Sequence, residues 1–449
     1  MRAAVSQWNA AQTLLRVPEA PNERVALSPA PPARVVGSGA GDHAAIHQLL
    51  LSVFHAPSHD GFYASLDDPF YEPRNRLLVK RGEQIVSHVH LTERTAYFGA
   101  RQLPVAHLAW LVTLPEFRGL GYGSQLLRAA DRAMVDGGAV LGLLSTRSPR
   151  FFRQTGWAVC GRHSHTRAGS RELLAQLSAA GLPPSDRPLN IRPWRQVELP
   201  ALMSLYECNQ AQAFGAYQRS EAYWRWLVSR KGFDQIYVAF EGPDRWELDQ
   251  SGAPIVGYVV TQEHRILELM ADPAHPSAAE QLLARACGDA IERDCHSITL
   301  HAPSGHRLFE LFEKAAGAVY RGEVHQGEVF MAKLLDPLGF LRSLCGELHA
   351  RAAAAGLQRP CELGFSLDGE KCRLIISRRS VKFARGKLGR SYLRLSSPEF
   401  TRLVLGHLDV AEAAACGRVR ASTRYALEMA SVLFPRLPLW RSPLDELVV

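Results

Sequence analysis

The chain has 449 residues, of which 47% are hydrophobic and 21% charged, with a formal net charge of +8. That balance belongs to a globular protein, and the length exceeds one ordinary domain, so roughly three are expected. No apolar run approaches the roughly 20 residues that a bilayer-spanning helix needs, which sets aside helical channels and carriers.

Basic residues are spread along the chain, apart from "SRRSVKFARGKLGR" (Ser377–Arg390). That run lacks the interleaved aromatics of a strand-binding platform, so nucleic acid is not an expected partner. The same charge favours a small anionic partner. The eight cysteines form no C-x-x-C pair and are read as reduced, in keeping with a cytoplasmic protein. His88-Val-His90 places two imidazoles on one face of a strand, but no third ligand is evident and no metal is expected.

Residues 1–34 are rich in Ala and Pro and lack a signal-peptide core; they read as a loose leader. From Arg34 the pattern is strand, turn and amphipathic helix. An antiparallel meander follows, punctuated at Arg81-Gly82-Glu83 and Gly99-Ala100. A helix is expected from Gly123 to about Asp136, with Leu126, Leu127, Ala130, Ala133 and Met134 on one face and Gly137-Gly138 as its stop. "AVLGLLS" reads as a buried strand. Ser148-Pro149 opens a short helix, and "WAVCGRHSH" reads as one further strand. Residues 168–189 form a weaker segment with a linker, "GLPPSDRP". From Asn190 the same element order starts again, which suggests a duplicated fold. A third, α+β region begins near Asp336.

Between the meander and the first long helix stands "TLPEFRGLGYGSQLL" (Thr113–Leu127), with glycines at 119, 121 and 123. A P-loop needs a lysine that is not there, and a dinucleotide fingerprint needs a third glycine where Ser124 stands. Arg118-x-x-Gly121-x-Gly123 instead turns backbone N–H groups and a helix N-terminus toward one point, a cradle for a pyrophosphate. The duplicate has "ADPAHPSAAEQLL" at this place and no cradle.

"LVTLPEFRGLGYGSQLL" resembles the acetyl-CoA-binding motif of the GNAT N-acetyltransferases, and "SPRFFRQTGW" resembles that family's next motif. The layout as a whole resembles the three-domain enhanced-intracellular-survival (Eis) acetyltransferases. The resemblance implies an α/β (α+β) chain of two tandem GNAT-like mixed-sheet domains, at 35–168 and 190–335, and a sterol-carrier-like domain at 336–449. It implies acetyl transfer from acetyl-CoA to a primary amine of a polyamine or aminoglycoside-like acceptor, without a metal, and assembly as a homo-oligomer. Pantetheine would bond the strand edge at Leu111, Val112 and Thr113. Arg118, Gly119, Leu120, Gly121, Tyr122, Gly123 and Ser124 would hold the phosphates.

Two groups could take the amine proton: His107, on the strand before the loop, and the C-terminal carboxylate of Val449, a role the resemblance implies. Phe152 stands where the family commonly has a tyrosine acid, and phenylalanine cannot donate a proton. It is expected only to pack against the cofactor. The missing acid keeps open the alternative of a catalytically weak CoA- or lipid-binding scaffold. "DGFYASLDDPFYE", with Asp60, Phe62, Tyr63, Asp67, Asp68 and Tyr71, could be an acidic-aromatic lip for a cationic amine or a plain solvated loop.

Overall fold

The structure is a computed structural model and describes residues 34–445 except 162, 182–187, 212, 243–253 and 326. Most of the expected leader and Val449 lie outside the described residues.

The first sheet grows from the expected meander. Its chain order is β1 (Arg34–Gly37), α1 (His43–Phe54), α2 (His59–Ala64), β2 (Arg76–Arg81), β3 (Gln84–Phe98), β4 (Arg101–Thr113), α3 (Tyr122–Asp136), β5 (Leu141–Thr146), α4 (Pro149–Arg153) and β6 (Ala158–Val159). β1 to β4 are antiparallel neighbours, and β4 and β5 run parallel. The helix α3 covers one face, burying Leu126, Leu127, Ala130 and Met134 as the helical spacing requires. α1 and α2 cover the other, with Ile46, Leu50 and Phe62 at their core.

The second half carries β7 (His163–Gly169), α5 (Ser170–Ala180), β8 (Asn190–Pro193), α6 (Leu199–Gln210), β9 (Phe214–Tyr217), α7 (Glu221–Ser229), β10 (Gln235–Phe240), β11 (Ile255–Gln262), β12 (Arg265–Ala271), α8 (Ser277–Glu292), β13 (Ser297–His301), α9 (Phe309–Lys314) and β14 (Ala318–Gly322). β15 (Val324–His325) and β16 (Glu328–Leu334) complete it. The order of the second sheet is β14-β7-β13-β12-β11-β10-β8, so the duplication legible in the sequence is real.

The halves exchange their sixth strands. β16 lies antiparallel to β5 in the first sheet, and β7 lies antiparallel to β13 in the second. The boundaries expected at 168, 190 and 335 therefore do not follow the sheets, and "WAVCGRHSH" is two strands rather than one. The short β6 still pairs with β16, after which the chain crosses at Cys160-Gly161. Only glycine fits this crossing: a Cβ on Gly161 would stand 2.5 Å from two carbons of Phe330. Periodicity shows where strands are, but not which sheet each one joins. The weak segment after 168 holds α5, whose Leu173 is fully buried in the second core.

The third region contains α10 (Pro337–Ser343), α11 (Cys345–Ala354), β17 (Cys361–Leu367), β18 (Glu370–Ile376), β19 (Val381–Arg385), β20 (Tyr392–Leu395), α12 (Ser397–Val404), α13 (Val410–Ala415), β21 (Arg420–Ala421) and α14 (Arg424–Leu433). Its five-stranded sheet has helices on one face, and its core runs without a break into the first sheet. Phe365, Leu403 and Met429 share one cluster with Phe98, Val105 and Leu143. After α14 the chain runs back between the halves. Trp440 N–H donates to Phe214 O at 3.0 Å, and buried Asp445 pairs with Arg219, which also holds Glu268 at 2.6 Å.

Candidate active site

β4 and β5 pair only from Val105↔Leu141 to His107↔Leu143, so beyond His107 the two strands diverge. A bulge in the β3–β4 pairing lies near the end of β4, beside the gap. His88 faces Val112 and His90 faces Ala109, so Trp110 and Leu111 together oppose Val89. Trp110 has φ of 56°, the left-handed region that a bulky side chain rarely enters. His88 holds this conformation from behind: its Nδ1 donates to Trp110 O at 3.0 Å, while Arg76 Nη1 donates to its Nε2 at 3.3 Å. These partners leave His88 neutral, and burial drives its pKa down to about 3, with Arg76 reinforcing the effect.

The glycine loop closes the mouth of this opening. Gly119 and Gly121 have φ of 80° and 82°, and no atom lies within 4 Å of a Cβ built on either. Gly121 is the N-cap of α3, and no side chain caps that helix start. The orphan N–H groups of the first turn thus face open space at the positive end of a 15-residue helix. A Cβ on Gly123 would make only ordinary contacts, with Thr113 Oγ1 at 3.7 Å and the ring of Phe151 at 3.6 Å. Arg118 is exposed, and its Nε donates to Thr113 O at 3.3 Å. These residues fit a pyrophosphate: a cradle of backbone donors, free space and an exposed cation.

The structure brings the named loop residues to one place, with different roles. Leu120 is exposed at the loop tip, Tyr122 and Ser124 are half-buried in the first turn, and Val112 is a core side chain that offers only its backbone. Ser87 steadies the strand end by donating to Val112 O at 2.6 Å. Phe152 departs from its expected place against the cofactor. It is buried in the α3-side core, edge-on to Trp157, whereas half-buried Phe151 faces the loop. Two adjacent phenylalanines on a short helix cannot be told apart by spacing alone.

His107 stands at the vertex of the opening. The residue is half-buried, and its Nε2 is buried without a hydrogen-bond partner among the described residues. Burial lowers its pKa to about 3, helped by Arg441 and Arg94. Around it lies a buried polar layer missed in the sequence: Arg94 paired with Asp68, His90, Tyr217 and Arg441. Its members come from strands and loops far apart in the chain, and no local pattern marks them. Asp68 is thus spent on Arg94 and Phe62 is core, while Asp60, Tyr63 and Asp67 remain exposed.

Among the described residues the second half has no counterpart to the cradle. The first turn of α8 is buried through Ala278 and Ala279, and Arg307 bonds Glu280 and Pro276 O beside it. Among the described residues no cluster of ligating side chains is arranged to hold a metal, and no helix is long and apolar enough to cross a membrane.

A splayed parallel pair, a bulged strand and an open glycine turn at the intervening helix are the features of a GNAT acyltransferase domain. Residues 38–160 match the family described as acetyltransferase (GNAT) domain. Sequence comparison finds no matching curated protein. Among solved structures, a GCN5-related N-acetyltransferase from Anabaena variabilis superposes with a TM-score of 0.71 at 14% identity, covering 91% of this chain and 99% of its own. One from Kribbella flavida gives 0.68 at 16%, covering 91% and 97%. Eis1 from Mycobacterium abscessus gives 0.60 at 16%, covering 92% and 99%. Residues 38–160 form a GNAT acetyltransferase domain, and the chain shares the fold of these structures along nearly its whole length.

Proposed function

We propose that the chain transfers an acetyl group from acetyl-CoA to the primary amine of a small acceptor by direct attack. The observation that carries this reading is the open, left-handed Gly119–Gly121 cradle set at the mouth of the β4–β5 opening. Diphosphate would bind the first turn of α3, with Arg118 swinging onto it, and pantetheine would lie along the bulged edge at Leu111–Thr113. The thioester would then reach the vertex at His107. There the amine nitrogen attacks the carbonyl carbon, the C–N bond forms, the C–S bond breaks, and the amine proton ends on the departing thiolate. Holding both reactants at one vertex supplies much of the rate.

His107 is poorly suited to store that proton, since its pKa of about 3 makes it a weak base. Its role in this reading is to contact the reacting groups as a neutral imidazole. The C-terminal carboxylate is the stronger base candidate. Asp445 anchors the tail on Arg219, and the four remaining residues can extend up to about 14 Å. Polyamines and aminoglycosides are the acceptors implied by the resemblance, and exposed Asp60 in α2 and Asp67 just after it favour them. The free cysteines and the use of acetyl-CoA suit a cytoplasmic setting.

The test is calorimetric titration of acetyl-CoA, followed by a thiol-release assay with amines. Saturable binding and amine-dependent release of CoA are expected, and deletion of residues 447–449 should abolish release while leaving binding intact. A full-length protein that does not bind acetyl-CoA would overturn the reading.

A further inference from the structure

The five-stranded sheet of the third region packs only one face against the helices. Leu363, Phe365, Leu374, Leu393 and Leu395 point into the core shared with those helices and the first sheet. Alternation sends Ser366, Lys371, Arg394 and Arg420 to the opposite face. The pairing sets these four in one row: Lys371 opposes Ser366, Ser366 opposes Arg394, and Arg394 opposes Arg420. With strands about 4.8 Å apart, the row spans about 14 Å from β18 to β21. The crossover from β19 to β20 covers the other end of this face. There a Cβ on Gly364 would overlap Leu388 O, and Arg390 N–H donates to Glu362 Oε1 at 3.4 Å. The Ser366 end holds an open pocket, with about 990 Å³ of empty space counting its mouth.

The pocket is walled by the Asp368-Gly369 turn, by Leu395-Ser396 at the end of β20 and by Gly417-Arg418 before β21. Lys371, Arg394 and Arg420 are exposed, and their side chains have no partner among the described residues. The carboxylate in the lining is engaged: Asp368 accepts from Ser397 N–H at 2.9 Å and from Ser397 Oγ at 2.6 Å. Glu399 in α12 takes Arg418 at 3.3 Å, and Glu370, beside Lys371, alternates to the face of Cys372. An arginine directly across the strands from an arginine repels it, and among the described residues no carboxylate bridges Arg394 and Arg420. At the floor Ser366 is 7% exposed, and its hydroxyl has no hydrogen-bond partner among the described residues.

We propose that this pocket binds the phosphate group of a small phosphomonoester, at a site separate from the Gly119–Gly121 cradle. The phosphate lies over Ser366 and accepts from its hydroxyl. Lys371 closes on it from one side, and the Arg394–Arg420 pair from the other. Two guanidinium forks and an ammonium suit a dianion with several acceptor oxygens better than a single carboxylate. Binding also offsets the repulsion between the two arginines. The lining has no aromatic ring on which a base could stack, and the site is a recess rather than a flat belt, so a small ligand fits it better than a nucleic-acid strand. The proposal does not depend on the acetyl-transfer reading, because the row belongs to a different sheet from the cradle.

The experiment titrates glycerol 3-phosphate into the full chain by calorimetry, beside a sedimentation assay with vesicles of equal parts phosphatidylcholine and phosphatidic acid, which carries the same head group. Saturable binding of glycerol 3-phosphate is expected. Arg394→Gln and Arg420→Gln should each weaken it by at least about fivefold, and Ser366→Ala by at least about threefold. Lys382→Gln removes the same charge from β19 outside the pocket and should leave the affinity unchanged. Since the facing arginines repel each other, unliganded Arg420→Gln should be no less stable than the parent in urea. Absence of saturable binding overturns the proposal, and so does full retention in the three pocket variants, as a phosphate held by the cradle would give. An equal loss in Lys382→Gln, the mark of diffuse charge, or a lower urea midpoint in Arg420→Gln, the mark of a structural arginine, also overturns it. Capture on the vesicles without saturable binding of glycerol 3-phosphate would assign the face to a membrane surface instead.

Discussion

Replacing Gly121 by alanine separates the cradle from the fold that carries it. Gly121 has φ of 82° and ψ of 3°, and an alanine held in that region costs about 1–2 kcal/mol. No atom lies within 4 Å of the new Cβ, so the protein itself adds no clash. The methyl group instead enters the open space before the first turn of α3, where a diphosphate would lie. Gly138, at φ of 81°, has equally empty surroundings but follows the other end of the helix. Gly138→Ala therefore imposes the same backbone strain without touching the cradle. Both variants should lose about 1–2 kcal/mol in urea unfolding. Only Gly121→Ala should also lose acetyl-CoA affinity in calorimetry, by at least about tenfold, or about 1.4 kcal/mol. Unchanged affinity in Gly121→Ala, or an equal loss in Gly138→Ala, would refute the placement of the phosphates.

Gly161→Ala should destabilise the chain by about 1–3 kcal/mol, because its Cβ would overlap Phe330; part of that loss should return in a Gly161→Ala, Phe330→Ala double variant measured by chemical unfolding. Phe152→Tyr should leave acetyl-CoA affinity within about threefold while lowering stability by about 1–3 kcal/mol, since its hydroxyl enters an apolar core; a collapse in affinity would show that the ring touches the cofactor. His107 has a folded pKa of about 3 against about 6.5 when unfolded, so its contribution to stability is present above pH 6.5 and lost as pH falls toward 3. Urea unfolding of His107→Gln should accordingly lose less between pH 7 and pH 5 than the parent, by up to about 2 kcal/mol. Residues 336–449 expressed alone should aggregate, because their helices and sheet share one core with β4 and β5.

Local chemistry determined much of this protein in advance. The meander, the face of α3, its glycine stop and the repeated element order were legible because each depends on a period of two or 3.6 or on a turn residue. The cradle was legible because only glycine tolerates φ near 80° beside an uncapped helix start, and so Gly119 and Gly121 stand out in the chain itself. Sheet membership was not. β7 and β16 satisfy the same alternation in either half, and their exchange depends on the close crossing at Gly161 and on which edge each strand can reach. The same limit hid the buried ends of the site. Asp68 looked like part of an acidic lip until Arg94, 26 residues on, neutralised it, and Phe152 looked like a cofactor contact until packing assigned that side to Phe151. Lys371, Arg394 and Arg420 share a row only because the third sheet sets β20 between β17 and β21. Spacing along a chain reports on neighbours within a helix or strand. Burial, charge pairing and the character of a cavity depend on residues brought together from far apart, and those were decided by the tertiary structure.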